Sequence, residues 1–323
     1  MEPLVTLGVP VYRGADVLPE LLECLRTQSY TNLDVLISVD GGDRETAEAA
    51  QPFLCDPRFR IEVQPERLGW AGNANWTLRN RRGAFWIYMQ HDDLISPTYV
   101  ADLLAAAARW PDAVLCFCEM IVQSGNSSTV VRPGELLGDP LSRALTHMEK
   151  MESGPFRGLI RGSALDSTAG LRSYGFESFG SFHFLMTELA LAGTFRFVGG
   201  ASYFKRLTGK NLHLKWYDWS EHDKREAWAS LAAGEFEIIV PAGASLEVRR
   251  GLAETAIERF ITPREGRWIF CAMEEGDAAG RADMLRRVVT WLRDAKRFDP
   301  QAELGWTWEA FETHMAQRFG FAG

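Results

Sequence analysis

Ala84-Phe85-Trp86-Ile87-Tyr88-Met89-Gln90-His91-Asp92-Asp93-Leu94-Ile95-Ser96-Pro97 is the stretch on which the reading of this chain depends. The apolar and aromatic run from Ala84 to Met89 predicts a fully buried strand, which carries two adjacent carboxylates to the end of a sheet. Ser96 is placed to cap a helix opening at Pro97, which leaves the acidic pair in the intervening turn. Open α/β sheets bind their ligands at such turns. Crowding Asp92, Asp93 and His91 together is costly unless a cation or a hydrogen-bond network relieves the repulsion. An oxygen-rich site of this kind suits Mg2+ or Mn2+. The plain alternative is a pair of solvated turn residues.

The flanking sequence places this turn in an α/β pattern. Leu4 to Val9 is a β-rich run ending at Pro10, and Asp16 is placed to cap a helix with Val17, Leu18, Leu21, Leu22 and Leu25 on one face. Leu33 to Val39 predicts a second strand, stopping at Asp40-Gly41-Gly42-Asp43, and Phe59 to Val63 a third. Strands alternating with helices imply right-handed crossovers, a mainly parallel sheet and loops gathered on one edge. That edge would collect Tyr12 and Arg13, Asp40 and Asp43, and the Gln90 to Asp93 turn. Further on, Pro97 to Arg109 reads as a helix, Ala113 to Val122 as a strand before the turn signal Ser124-Gly125-Asn126, and Phe156 to Ile160 as another strand. A Gly- and Ser-rich loop, Gly170 to Gly180, precedes an apolar helix from Phe182 to Ala192 and an extended run from Thr194 to Arg206.

After Gly209 the composition shifts towards Glu, Arg, Ala and Trp, and four amphipathic segments (221–233, 246–261, 282–296 and 308–319) predict helices. The expected division is residues 1–209 for the α/β domain, with halves of about 1–95 and 96–209, and 210–323 for a helical region that covers that domain or makes a homo-oligomer contact. The 323 residues suffice for this plan, and 46% hydrophobic with 24% charged residues are those of a globular chain. A net charge of −8, with no basic run longer than Arg79 to Arg82, excludes nucleic acid as the main partner, because phosphate binding needs clustered positive charge. Cys24, Cys55, Cys116, Cys118 and Cys271 have no zinc-like spacing and read as thiols of a reducing cytoplasm. We read no leader and no apolar run of about 18 residues, so no transmembrane segment is expected. Trp291, Trp306 and Trp308 leave open a peripheral contact with a membrane surface, although core packing is their commoner role.

Several blocks in order carry a resemblance. Val5 to Tyr12, Leu25-Arg26-Thr27-Gln28-Ser29-Tyr30, Leu36 to Asp43, Leu68 to Trp76, the Gln90 to Asp93 turn and Gly158 to Leu165 resemble family 2 glycosyltransferases with the GT-A fold, over roughly residues 3 to 216. The resemblance implies a nucleotide-sugar donor, with Asp40 reading the base and Pro10 and Tyr12 lining its pocket. A carboxylate can accept the imide N–H of uracil, hence the expectation of a UDP-linked donor. Otherwise Asp40 caps the Gly41-Gly42 bend. Arg67 falls where the family often has a cation near the nucleotide, and Asn73 and Asn75 either tie their loop to the metal turn or satisfy local groups. Where the family has Asp-x-Asp, this chain has Gln90-His91-Asp92; Asp92 would touch the cation and Asp93 would support it, with His91 a neighbouring partner or a turn residue.

The family's general base, an Asp before the later helix, is replaced by Phe182. His183, with its near-neutral unperturbed pKa, is the candidate base, and Glu177 stands behind it. Lys205 and Arg206 match a basic pair, followed by Thr208 and His213 in place of the usual His. The expected activity is inverting, metal-assisted transfer to a glycan, lipid-linked or small-molecule acceptor. The alternative is a GT-A domain that lost its base and serves as a binding module. A nucleotidyltransferase is disfavoured by the absence of a Gly-rich, Lys-containing loop after the first strand.

Overall fold

The computed structural model describes residues 2–173, 178–207, 212–262 and 277–321 and divides into two compact units. The first comprises residues 1–143, 152–172 and 189–209; the second comprises 144–151, 173–188 and 210–323. The expected boundary after residue 209 is thus the last of several crossings.

The first unit is built on a sheet with nine strands among the described residues. In chain order its elements are β1 (Val5–Val11), α1 (Leu18–Arg26), β2 (Leu33–Val39), α2 (Arg44–Ala50), β3 (Phe59–Val63), α3 (Gly69–Arg79), β4 (Phe85–Tyr88), β5 (Leu94–Ile95), α4 (Tyr99–Arg109), β6 (Ala113–Ser124), β7 (Ser127–Val131), α5 (Pro140–Lys150), β8 (Leu159–Arg161), α6 (Gly162–Leu165), α7 (Ser181–Ala192) and β9 (Thr194–Arg206). Helices α5 and α7 each run from one unit into the other. The strand order is β3-β2-β1-β4-β8-β6-β9-β5, with β7 paired to β6. β1, β2, β3 and β4 are parallel, while β8 joins antiparallel to both β4 and β6. Every residue of β1 and β2 is buried; most are apolar, and the polar exceptions are paired, Thr6 donating to Asp34 at 2.8 Å, Arg60 to Asp34 at 2.6 Å and Ser38 to Asn73 at 2.5 Å.

The order β3-β2-β1-β4 puts the reversal of winding between β1 and β4, where the crevice outside the strand ends receives ligands. Val11 pairs with Val39 and Gly8 with Tyr88, so Tyr12, Asp40 and the Gln90 turn leave the sheet at one edge.

Local expectations differ from the structure in instructive ways. Asp16 does not cap α1; the Gly14 carbonyl accepts from Val17 and Leu18 N–H, and the helix starts at Leu18 with Pro19 in its first turn. Nor does Ser96 cap a helix at Pro97, because Leu94 and Ile95 are drawn into pairing with β9 and α4 begins only at Tyr99. The predicted strand from Phe156 is a 3₁₀ turn, Gly154–Arg157, followed by the short β8.

In the second unit the helices are α8 (Glu221–Ile239), α9 (Leu246–Ile261), α10 (Ala278–Ala295), α11 (Pro300–Leu304) and α12 (Trp308–Arg318). Ser220, Ser245, Asp277 and Thr307 cap α8, α9, α10 and α12 through side-chain oxygens. Trp228, Phe236, Phe260 and Phe311 are buried, and Trp228 donates its indole N–H to the Phe260 carbonyl at 2.9 Å. The tryptophans considered for a lipid surface are engaged within this unit: Trp291 donates to Glu226, Trp306 lies 4.5 Å from the His314 ring, and Trp308 meets Phe311. Among the described residues no helix is long and apolar enough to cross a membrane.

Candidate functional site

Three loops at the carboxyl edge of the first unit are fastened to one another. Asp43 accepts from the backbone of Arg13 at 2.7 Å and from Thr46, capping α2, while Gly14 N–H donates to Thr46 Oγ1. These bonds hold Arg13 at φ 51°, a left-handed conformation costly for a non-glycine residue. The loop after β1 is equally bound to the turn after β4. In a strand, the N–H and C=O of one residue face the same neighbour, and Gly8 accepts from Met89 on the β4 side. Pro10 therefore directs its carbonyl past the end of β4, where the His91 ring bonds to it. Gly14 makes this approach possible, because a Cβ there would lie 2.7 Å from His91 Cδ2. Burial lowers the His91 pKa, against the opposing pull of Asp92, Asp16 and the Pro10 carbonyl, so His91 favours its neutral form.

Asp40 is 2% exposed, and its two oxygens accept the N–H groups of Leu68 at 2.6 Å and Gly69 at 3.0 Å. It is the negative group at the start of α3, reached across 28 residues, and not a cap of the Gly41-Gly42 bend. Arg67 stands beside it with Nε 4.0 Å from Asp40 Oδ2 and its guanidinium 3.5 Å from the Tyr12 ring centroid. Asn73 takes the local alternative, since its Oδ1 accepts from Ser38 Oγ and its Nδ2 donates to the Ser38 carbonyl. Asn75 likewise binds the backbone of Leu171 on both sides.

The turn after β4 rests on a buried polar cluster. Asp93 is fully buried; Oδ2 accepts from Tyr203 Oη at 2.8 Å and lies 3.8 Å from Arg157 Nε, while Oδ1 accepts from the Arg206 backbone at 2.9 Å. Burial raises its pKa to about 6, with Asp92 adding to the shift and Arg157, Arg206 and Tyr203 opposing it. Burial and the Arg157 charge bring Lys205 down to about 8, against the pull of Asp93 and Asp92. Arg206 also donates to the Asp92 carbonyl and to Glu20.

Asp93 is thereby an anchor of the turn, and Asp92, 7% exposed, is the carboxylate of the pair suited to a cation. Among the described residues no group of three or more His, Cys, Asp or Glu is gathered as a metal cage. One carboxylate still fits Mg2+ or Mn2+, which commonly take most of their ligands from substrate phosphates and water.

The structure thus gathers Pro10, Tyr12, Asp40, Arg67, His91, Asp92 and Asp93 in the first unit, with Asn73 supporting β2. His183 belongs to the second unit, where it is 8% exposed, with its Nδ1 3.4 Å from Nε2 of the buried His147 and its ring 4.1 Å from that of Phe182. Glu177, Thr208 and the side chain of His213 lie outside the described residues. Sequence reasoning missed Arg157 and Tyr203. The one sat in a presumed strand and the other in a correctly placed one, and neither neighbourhood carries a signal that separates a buried anchor from an ordinary residue.

Residues 6–166, about half of the chain, match Glycosyl transferase family 2, a span that contains Tyr12, Asp40, Arg67 and the Gln90 to Asp93 turn. An uncharacterized glycosyltransferase of Rickettsia conorii is 25% identical over 166 residues, 50% of this chain and 26% of that protein, so the match spans about a quarter of that relative. Among solved structures, S. aureus TarS 1–349 is similar with a TM-score of 0.62 at 14% identity, covering 99% of this chain and 92% of that one. The same TarS fragment in complex with UDP-GlcNAc gives 0.56 at 15% identity, covering 99% and 92%. Mannosyltransferase PcManGT from Pyrobaculum calidifontis, in complex with GDP-Man and Mn2+, gives 0.52 at 16% identity, covering 99% and 86%. The structural likenesses show a GT-A-type fold with a helical C-terminal region. Taken with the profile match across the site-bearing strands, they lead to one conclusion: the chain belongs to glycosyl transferase family 2.

Proposed function

We propose that the protein is a glycosyltransferase that moves a sugar from a nucleotide-sugar donor, UDP-linked, to an acceptor hydroxyl with inversion at the anomeric carbon. The carrying observation is the convergence of Tyr12, Asp40 and Asp92 at the adjacent ends of β1, β2 and β4, where the strand order reverses. The TarS complex with UDP-GlcNAc and the PcManGT complex with GDP-Man and Mn2+ support a nucleotide sugar and a divalent ion.

In this reading the base lies against Tyr12 and Arg67. Asp40 accepts its imide N–H with lone pairs that Leu68 and Gly69 leave available, since each carboxylate oxygen has two. Mg2+ or Mn2+ held by Asp92 would supply positive charge to the leaving diphosphate. Asp93, Arg206 and Tyr203 fix the turn so that Asp92 meets the donor without rearrangement. For the acceptor we propose His183 as base. In this role the imidazole would take the proton of the acceptor hydroxyl. The acceptor oxygen then bonds to the anomeric carbon as the bond to the diphosphate oxygen breaks.

A thermal-shift panel of nucleotides and sugar nucleotides, with and without Mn2+, tests the reading. Stabilisation by UDP and a UDP-sugar, enhanced by Mn2+, is expected. Failure of every nucleotide to shift the transition overturns it.

A further inference from the structure

Gln90 stands where the family resemblance calls for a first carboxylate, and its surroundings give it a different task. Along β4 alternate side chains share a face, and Trp86 and Tyr88 both meet the Phe156 ring, at 6.3 Å and 4.8 Å. Two residues beyond Tyr88, Gln90 therefore emerges beside the next residue, Arg157, whose Nη2 donates to Gln90 Oε1 at 3.3 Å. A guanidinium can only donate, so the amide oxygen must face it and the Nε2 hydrogens must point away. Arg157 is itself held: Nη1 donates to the Ser153 carbonyl, Nε faces Asp93, and the guanidinium lies 5.5 Å from the Tyr203 ring centroid. Gln90 is half-buried, and among the described residues nothing accepts from its Nε2. Two oriented N–H donors thus stand at the carboxyl end of β4, beside the crevice between β1 and β4.

We infer that Gln90 binds the donor directly, its Nε2 hydrogens bonding to a diphosphate oxygen, with Arg157 as the positioning residue that fixes the amide. The inference rests on the nucleotide-sugar reading above and deepens it: where a carboxylate at position 90 would reach the phosphates through a cation, Gln90 reaches them directly, beside the cation proposed at Asp92. Part of the diphosphate affinity must then survive chelation.

The test is calorimetric titration with UDP and with uridine, each in EDTA and in Mn2+, on the wild-type chain, Gln90→Leu and Gln90→Glu. Gln90→Glu retains an acceptor for Arg157 while removing both donors, which guards against misfolding. In EDTA the wild type should bind UDP more tightly than uridine. Both variants should lose about tenfold in UDP affinity in EDTA with uridine affinity unchanged, the size of one hydrogen bond to a charged group. Wild-type binding of UDP only with Mn2+, or a Gln90→Glu chain that matches wild type in EDTA, overturns this inference and leaves the proposed function standing. No binding of UDP or any other nucleoside diphosphate under either condition overturns both.

Discussion

Neighbouring carboxylates on the β4 turn have opposite duties, and the difference is set by what surrounds each oxygen. In the proposed reading Asp92 holds the cation, so Asp92→Asn should remove the metal-dependent part of nucleotide binding, a loss of about tenfold or more, equivalent to about 1.4 kcal/mol. Calorimetry with UDP, with and without Mn2+, checks this; an unchanged response to Mn2+ refutes the role. Asp93 instead leaves a trace in stability. Unfolded, it ionises near 3.8, whereas burial in the folded chain keeps its proton until about 6. Between those values the folded form holds the extra proton, so this residue's contribution falls as pH rises from about 4 to 6, by up to about 3 kcal/mol. Asp93→Asn has no such titration. Urea unfolding of both chains should therefore show the wild type losing ground to the variant across that range, and a constant difference refutes the assignment.

At the scale of elements, the site depends on how closely α3 lies on β1. A Cβ on Gly8 would sit 2.5 Å from both Thr77 Oγ1 and Trp86 Nε1, so the strand and helix meet only because position 8 has no side chain. Gly8→Ala should cost about 1–3 kcal/mol in urea unfolding, with Thr77→Ala in the same chain restoring part of the loss. Purely additive losses would show that the two positions do not press on each other. β2 and β4 were legible because their largely apolar runs stop at Asp40 and Gln90, where the chain turns, whereas β1 runs through Pro10, the expected end, to Val11. β7 was not, since all five of its residues are exposed and Ser127–Val131 has no inward and outward alternation to read. The tie from Asp40 to Leu68 and the anchoring of Asp93 by Tyr203, 110 residues away, were also hidden. Hydrogen bonds across such separations leave no periodicity in the sequence. Asp16 was misread because a backbone carbonyl, that of Gly14, took the role usually given to a side chain.

For the molecule as a whole, the interleaving of the two units matters more than the count of helices. Within the second unit Thr187 donates to Glu235 at 2.6 Å, Arg259 donates to the Leu145 carbonyl at 3.0 Å, and a Cβ on Gly180 would press on Leu231. Residues 144–151 and 173–188 thus have their partners in α8 and α9. A chain ending at Gly209 should expose those partnerless faces and aggregate, as light scattering and size-exclusion chromatography would show; a monomer with one sharp unfolding transition would contradict this.

The same threading bears on birth at the ribosome. Strand β9, needed between β6 and β5, is made only after residues 173–188 have emerged, while the helices those residues await are made later still. Synthesis therefore passes through an interval in which a nearly finished sheet coexists with greasy orphan segments, the moment at which a chaperone would find this chain.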